Sequence, residues 1–301
     1  MTGIANANAA GGKLFFQRHG LPIGLQLYTL GSDAAKDLDG TLAQVAKIGY
    51  RNIELAGLLG KTAAEMKAAM DRAGLTCTSA HVQGRAMGPQ TFSGDLGKLA
   101  DDLNVLGVKS AVMPLFYLPD RFELKPLAGE DGPTFLSRLA GQMTLDDWKW
   151  NADFLNQKAQ ALKSAGIAVG YHNHNNEFAP IDGTTGMDVL LKETDPSLVT
   201  FEMDAGWVTA AGYDPFALLK EHKGRFTLMH VKDIKATTKS NFVLKQDPTE
   251  VGSGMIDWKK LLPAAYESGV RQFFVEQEPP FAHPRIESTK ISHDYLASVA
   301  A

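Results

Sequence analysis

The chain has 301 residues, 44% hydrophobic and 21% charged, with a formal net charge of −4. That is an ordinary globular composition, long enough for a sizeable core, and it carries no basic block of the kind that binds nucleic acid or an anionic membrane. No run of about 18 apolar residues is present to span a bilayer, and the single cysteine, Cys77, excludes an internal disulfide and reads as an inert buried thiol.

Residues 1–20 are expected to form a flexible tail, with Ile4 to Gly12 rich in Ala, Asn and Gly. Ala5-Asn6-Ala7 resembles the small-x-small pattern before a signal cleavage site, but no charged or apolar region precedes it. The expected compartment is the cytoplasm, or the periplasm if an export signal has been removed.

From Ile23 onward, strand-like and helix-like stretches alternate. Strands are expected at Ile23–Thr29, Asn52–Ala56, Thr76–His81, Ser110–Leu115, Ile167–Asn173, Val199–Asp204, Phe226–Lys232 and Gln272–Glu276. Helices are expected between them, at Asp37–Ile48, Thr62–Ala73, Gly94–Leu106, Thr144–Ala165, Thr185–Glu193, Asp214–Glu221 and Asp257–Glu267, with a last one from about Ser288. Thr62 with Glu65, and Thr144 with Asp147, have the spacing of capping boxes. Glycine follows the helix at Gly49, Gly74, Gly107, Gly166, Gly224 and Gly269, where a left-handed residue closes a last turn. Repeated units of this kind predict a parallel sheet, and eight strands suit a (β/α)8 barrel in one domain over residues 21–301. A doubly wound sheet is the alternative, but no Gly-x-Gly-x-x-Gly follows the first strand.

Two connections are long. Residues 116–143 and 233–256 both follow strand ends, the rim where barrel enzymes hold substrate. Their aromatics Phe116, Tyr117, Phe122 and Phe242 form either a lid or the packing of a surface loop.

Alternation along each strand then selects the side chains at that rim. His172 and His174 share a face with Gly170 and Ala168, opposite Ile167, Val169 and Tyr171. Glu202 and Asp204 share one, as do His230 with Lys232 and Glu276 with Glu278; Glu54 and His81 stand at two further tips. A lone buried acid or histidine is more often a paired structural group than a ligand. A convergence of so many charges without a counter-ion costs several kcal/mol per ion, which a divalent cation removes. Glu177, Asp204, His230 and Glu276 make an oxygen-rich set with one imidazole, suited to Mn²⁺ or Mg²⁺, with Co²⁺, Zn²⁺ and Fe²⁺ also compatible.

In order along the chain stand Gly24-Leu25-Gln26-Leu27-Tyr28, Ile53-Glu54, Tyr171-His172-Asn173-His174-x-x-Glu177-Phe178, Met203-Asp204-x-Gly206-Trp207, His230-Val231-Lys232-Asp233, Val251-Gly252-x-Gly254-x-Ile256-Asp257 and Val275-Glu276-Gln277. Together they resemble the sugar phosphate isomerase/epimerase family, the xylose-isomerase-like TIM barrels. The resemblance covers nearly the whole chain from Ile23 and implies one divalent metal held by Glu177, Asp204, His230 and Glu276. Many relatives place the first acid at the strand tip, where this chain has His172, so His172 or His174 can stand in for Glu177. Endonuclease-IV-like relatives carry Asp-x-x-His after the sixth strand; here Trp207 replaces that histidine.

The implied chemistry is proton transfer next to the carbonyl of a sugar or polyol through an enediolate, giving isomerisation or epimerisation. Glu177 and Glu276 are the expected ligand-bases, with His174 as partner and Glu54, His81 and His172 facing substrate. Lys232 neutralises an oxyanion or pairs with Glu202 or Glu278; Trp207 and Phe281 stack on a sugar ring or pack the rim. With a leaving group beside the enolate, the same apparatus gives a lyase or dehydratase, and a non-catalytic sugar-binding barrel is the alternative of another class. The expected partner is a small molecule, and a homo-oligomer is compatible with the chain.

Overall fold

The computed structural model describes residues 14–85 and 90–300. Eight parallel strands close into a barrel: β1 Gly24–Gln26, β2 Asn52–Leu55, β3 Thr76–His81, β4 Ser110–Met113, β5 Ala168–His172, β6 Val199–Asp204, β7 Phe226–Val231 and β8 Gln272–Val275. Their order around the barrel is their order in the chain, because β1 pairs with both β2 and β8. Helices cover the outside: α1 Phe15–His19, α2 Gly31–Lys36, α3 Leu38–Ile48, α4 Ala63–Ala73, α5 Leu96–Leu106, α6 Gly132–Ala140, α7 Leu145–Leu162, α8 Gly186–Glu193, α9 Ala205–Ala210, α10 Pro215–Glu221, α11 Trp258–Ser268 and α12 Arg285–Ser298. None of the described helices is long and apolar enough to cross a membrane.

All eight expected strands form. The first stops at Gln26, because Leu27–Leu30 turns into a 3₁₀ helix whose Tyr28 N–H is capped by the Gln26 side chain. Both capping boxes are present, on α4 and α7. The glycines after α3, α4, α5, α11 and the turn ending α7 all have positive φ, as does Gly224.

Three departures concern the edges of the pattern. Inside the expected tail, Phe15 and Phe16 form α1 and are buried, edge-on against Phe273 of β8. Two adjacent phenylalanines bury too much apolar area to stay in water. Ile4 to Gly12 lies outside the described residues. In the long connections, Phe116 and Phe122 are buried in the core, Phe116 against Trp148, and Tyr117 packs on Trp150 and Phe154. Phe242 also packs against the core. The aromatics of these loops therefore anchor them. The short helices α2, α6 and α9 form where the sequence pattern gives loops; α6 and α9 start at Asp131 and Asp204, whose carboxylates accept N–H bonds from Thr134 and Trp207.

Inside the barrel, Val112, Leu228 and Phe274 form an apolar plug. Gly24 makes room for it: a Cβ there would lie 2.5 Å from the Phe274 ring. Above the plug, inward side chains at the carboxyl ends of the strands are polar or charged. Outward residues such as Val199, Phe201 and Met203 join the core under the helices.

The connection after β7 folds back through a short antiparallel pair, Asp233–Ile234 with Pro248–Thr249, and one carboxylate gathers its last turn. Buried Asp233 accepts from the N–H groups of Gly252 (2.9 Å), Gly254 (3.2 Å) and Ile256 (3.3 Å) and from the Trp258 indole (2.9 Å). Gly254 passes so close that a Cβ would run into this carboxylate. Replacement Asp233→Ala leaves these donors without their partner, at roughly 1–3 kcal/mol for each that stays buried. We expect a loss of about 3 kcal/mol or more in urea unfolding; a loss under about 1 kcal/mol shows that the loop is held by something else.

Candidate active site

The ionisable residues at the barrel mouth form two tiers that share two histidines. In the inner tier, Glu54 accepts from Gln26 (2.8 Å), Ser79 (2.5 Å) and His230 Nε2 (2.5 Å). Glu202 Oε2 faces His172 Nδ1 at 3.0 Å, His81 Nε2 at 3.1 Å and His230 Nε2 at 3.1 Å. In the outer tier, Lys232 Nζ lies 2.8 Å from Asp204 Oδ2 and 2.7 Å from both Glu276 Oε2 and Glu278 Oε1. His230 Nδ1 is 3.0 Å from Glu276 Oε2, and His172 Nε2 is 3.9 Å from Asp204 Oδ2. Trp207 closes this tier, with its indole N–H on Glu278 Oε1 at 3.3 Å and Lys232 over its ring.

Nearly all of this is buried, so charges are set by neighbours. Burial opposes the Lys232 ammonium, but Asp204, Glu276 and Glu278 outweigh it and raise its pKa well above the usual value. Burial likewise opposes the His230 imidazolium, and Glu202, Glu276 and Glu54 overcome it and raise its pKa well above the usual value. His172 goes the other way: burial and the neighbouring His230 and His174 keep it neutral. Burial lowers His174 to about 3, leaving a neutral ring whose Nδ1 has no partner among the described residues. Burial and Glu54 push Glu202 up to about 7.

His172, Asp204, His230 and Glu276 each offer a ligand atom within 4.8 Å of the others; His81, His172, Glu202 and His230 do so in the inner tier. The outer set is two carboxylates and two imidazoles, a donor chemistry that fits a divalent first-row cation. Of the four ligands expected from the sequence, the structure thus brings Asp204, His230 and Glu276 together, with His172 beside them. Glu177 is not with them: it sits in the 3₁₀ turn Asn176–Phe178, accepting from the Tyr171 hydroxyl (2.7 Å) and the His174 backbone N–H (2.9 Å). Tyr171 points away from the barrel interior, and Glu177 follows it.

A cavity of about 750 Å³ opens above the outer tier, lined by Tyr28, Trp207, Glu278 and both long connections, through Asp131–Thr134 and Thr237–Asp247. Phe281 does not line it; its ring packs under the Arg285 guanidinium. In the sequence, Gln26 and Tyr28 stand within the Gly24–Tyr28 motif without a site role, and strand parity puts Glu278 on the face of Glu276; the structure adds that Gln26 holds Glu54 and that Tyr28 and Glu278 line the cavity.

The profile of the xylose isomerase-like TIM barrel family matches residues 42–299. The chain belongs to that family. This xylose isomerase-like barrel is similar in structure to a sugar phosphate isomerase/epimerase from Parabacteroides distasonis, with a TM-score of 0.71, 26% identity, and coverage of 97% of this chain and 96% of that one. It is 28% identical to the inosose dehydratase of Clostridium beijerinckii over 152 residues, 46% of this chain and 50% of that protein. With the inosose dehydratase of Geobacillus kaustophilus it shares 23% identity over 274 residues, 86% of each. The match thus spans about half the length of the first of these dehydratases and most of the second. The two dehydratases are enzymes by name, and this barrel shares their fold family.

The position of Glu177 generates two expectations. Glu177→Gln keeps the divalent-metal affinity of the wild type within a few fold, whereas His172→Ala and Glu276→Gln lower it by about tenfold or more, read by chelator competition. A large loss with Glu177→Gln returns Glu177 to the ligand set. Burial also pushes the Glu177 carboxyl up to about 7, above the ordinary 4.5. The folded state therefore holds this proton more tightly than the unfolded chain. Its contribution is fully present below about pH 4.5 and is lost as pH rises through 7, roughly 3 kcal/mol in all. Unfolding free energies of wild type and Glu177→Gln at about pH 5 and about pH 8 should differ in that sense, the variant gaining relative stability at the higher pH.

Proposed function

We propose that this protein is a divalent-metal-dependent enzyme that moves a proton at the carbon next to the carbonyl of a sugar or polyol, with isomerisation or epimerisation as the outcome. The observation that carries the reading is the set His172, Asp204, His230 and Glu276 at the barrel mouth, beneath the cavity. A bound Mn²⁺, Mg²⁺ or Co²⁺ ion would supply Lewis acidity toward the carbonyl oxygen and a neighbouring hydroxyl.

The chain's own residues do the rest. Glu278 is the carboxylate of the outer tier that also lines the cavity, so it is the acid able to reach a substrate C–H or O–H there. The Lys232 ammonium, shared by Asp204, Glu276 and Glu278, balances negative charge as it develops on the enediolate. Neutral His174, 5.5 Å from the Trp207 ring and with Nδ1 unpartnered, is the second proton carrier. Trp207 and Tyr28 offer faces against which a sugar ring stacks. The cavity lies in the upper part of the roughly 300–1,000 Å³ range of ligand pockets, which leaves room beyond one pyranose ring.

Elimination of water is the second reading, favoured by the similarity to two inosose dehydratases. The same proton abstraction begins it, and the fate of the enediolate distinguishes the two.

The test is incubation of the metal-supplemented protein with ketoses, 3-keto-sugars and inososes in D₂O. We expect deuterium at a carbon of at least one of these substrates. An unchanged molecular formula with an inverted stereocentre or a moved carbonyl identifies the epimerase or isomerase, and loss of one water identifies the dehydratase. Glu278→Gln should slow exchange by about 10²–10⁴-fold while metal affinity stays within a few fold. No deuterium in any substrate, with metal bound, sinks the proposal.

A further inference from the structure

His172 and His230 each have one ring nitrogen in each tier. His172 presents Nδ1 to Glu202 at 3.0 Å and Nε2 toward Asp204 at 3.9 Å. His230 presents Nε2 to Glu54 at 2.5 Å and to Glu202 at 3.1 Å, and Nδ1 to Glu276 at 3.0 Å. A ring nitrogen that donates a proton inward cannot offer a lone pair there; the other nitrogen is the one left to face outward. Glu54 is suited to receive such a proton, since Gln26 and Ser79 hold its carboxylate in place. Glu202 is held only through Oε2, among three imidazoles, and its buried Oε1 has no partner among the described residues.

We infer that Glu202 and Glu54 are positioning residues that select the tier in which a cation is held: they keep the inward nitrogens of His172 and His230 protonated, so that the outward pair serves with Asp204 and Glu276. His81 belongs to the inner tier alone. It stacks on His230 with ring centroids 5.4 Å apart and donates to Glu202. The competing inner set, His81 with His172, Glu202 and His230, would need those same inward nitrogens stripped of their protons. One imidazole cannot serve both sets while it holds a proton on one side.

This inference rests on the metal site of the proposed function, and its test keeps the two apart. Mn²⁺ affinity is measured by chelator competition on the full chain, for wild type, Glu202→Leu, Glu202→Gln and His81→Ala. Glu202→Leu removes the acceptor and should weaken Mn²⁺ binding about 10–100-fold. Glu202→Gln still offers a carbonyl oxygen to His172 Nδ1–H and should restore most of that loss. His81→Ala should bind within a few fold of wild type; a loss as large as that of His172→Ala places the cation in the inner tier and overturns the inference. Imidazole ¹⁵N spectra of the unsubstituted protein need no variant to fold. They should show His172 protonated at Nδ1, and protonation at Nε2 overturns the inference outright. If the wild type itself takes up no divalent cation, the proposed function fails; if it does and Glu202→Leu binds as tightly, only the inference fails.

Discussion

The structure depends on a buried ammonium. Lys232 is wholly enclosed, and an isolated charge there would cost several kcal/mol. It is held because Asp204, Glu276 and Glu278 converge on it from β6 and the end of β8. The converse holds as well: those carboxylates, under Trp207 and above an apolar plug, need a cation among them. Glu276 carries the arrangement on to one of the two histidines that link the tiers, with its Oε2 3.0 Å from His230 Nδ1.

The barrel makes the convergence possible. Parallel closure sends the carboxyl ends of all the strands to one mouth, and alternation turns every second side chain toward the axis. Val112, Leu228 and Phe274 fill the interior below, so the charged tiers rest on a dry floor and interact at low dielectric. Gly24 is part of that floor because a side chain there would displace Phe274.

The cavity above is built differently. Its walls are loops, and loops lack the register that a ladder of strand hydrogen bonds imposes. After β7 the order comes from a short antiparallel pair, Asp233–Ile234 with Pro248–Thr249, and from the Asp233 carboxylate, which collects N–H groups from Gly252 to Trp258. On the other side, Phe116 and Phe122 sink into the core and Asn151 brackets the backbone of Tyr117. Polar residues such as Thr237, Asn241 and Gln246 are left to face the cavity.

By itself the sequence determined the barrel, the strands and the inward set Glu54, Glu202, Asp204, His230 and Glu276, because strand parity and helix-closing glycines are local properties that survive folding. It also placed both long connections over the mouth. Parity ends where a strand ends, and there the tertiary structure decided. The turn at Asn176–Phe178 carries Glu177 outward to Tyr171, although its spacing from His172 reads as a ligand's. The same holds for α1, which forms because Phe273 offers Phe15 and Phe16 a surface, and for the loop aromatics, which found the core closer than the cavity. Only folding brings Glu54, Glu202 and His230 together from strands far apart in the chain, and that meeting sets which nitrogen of each histidine faces out.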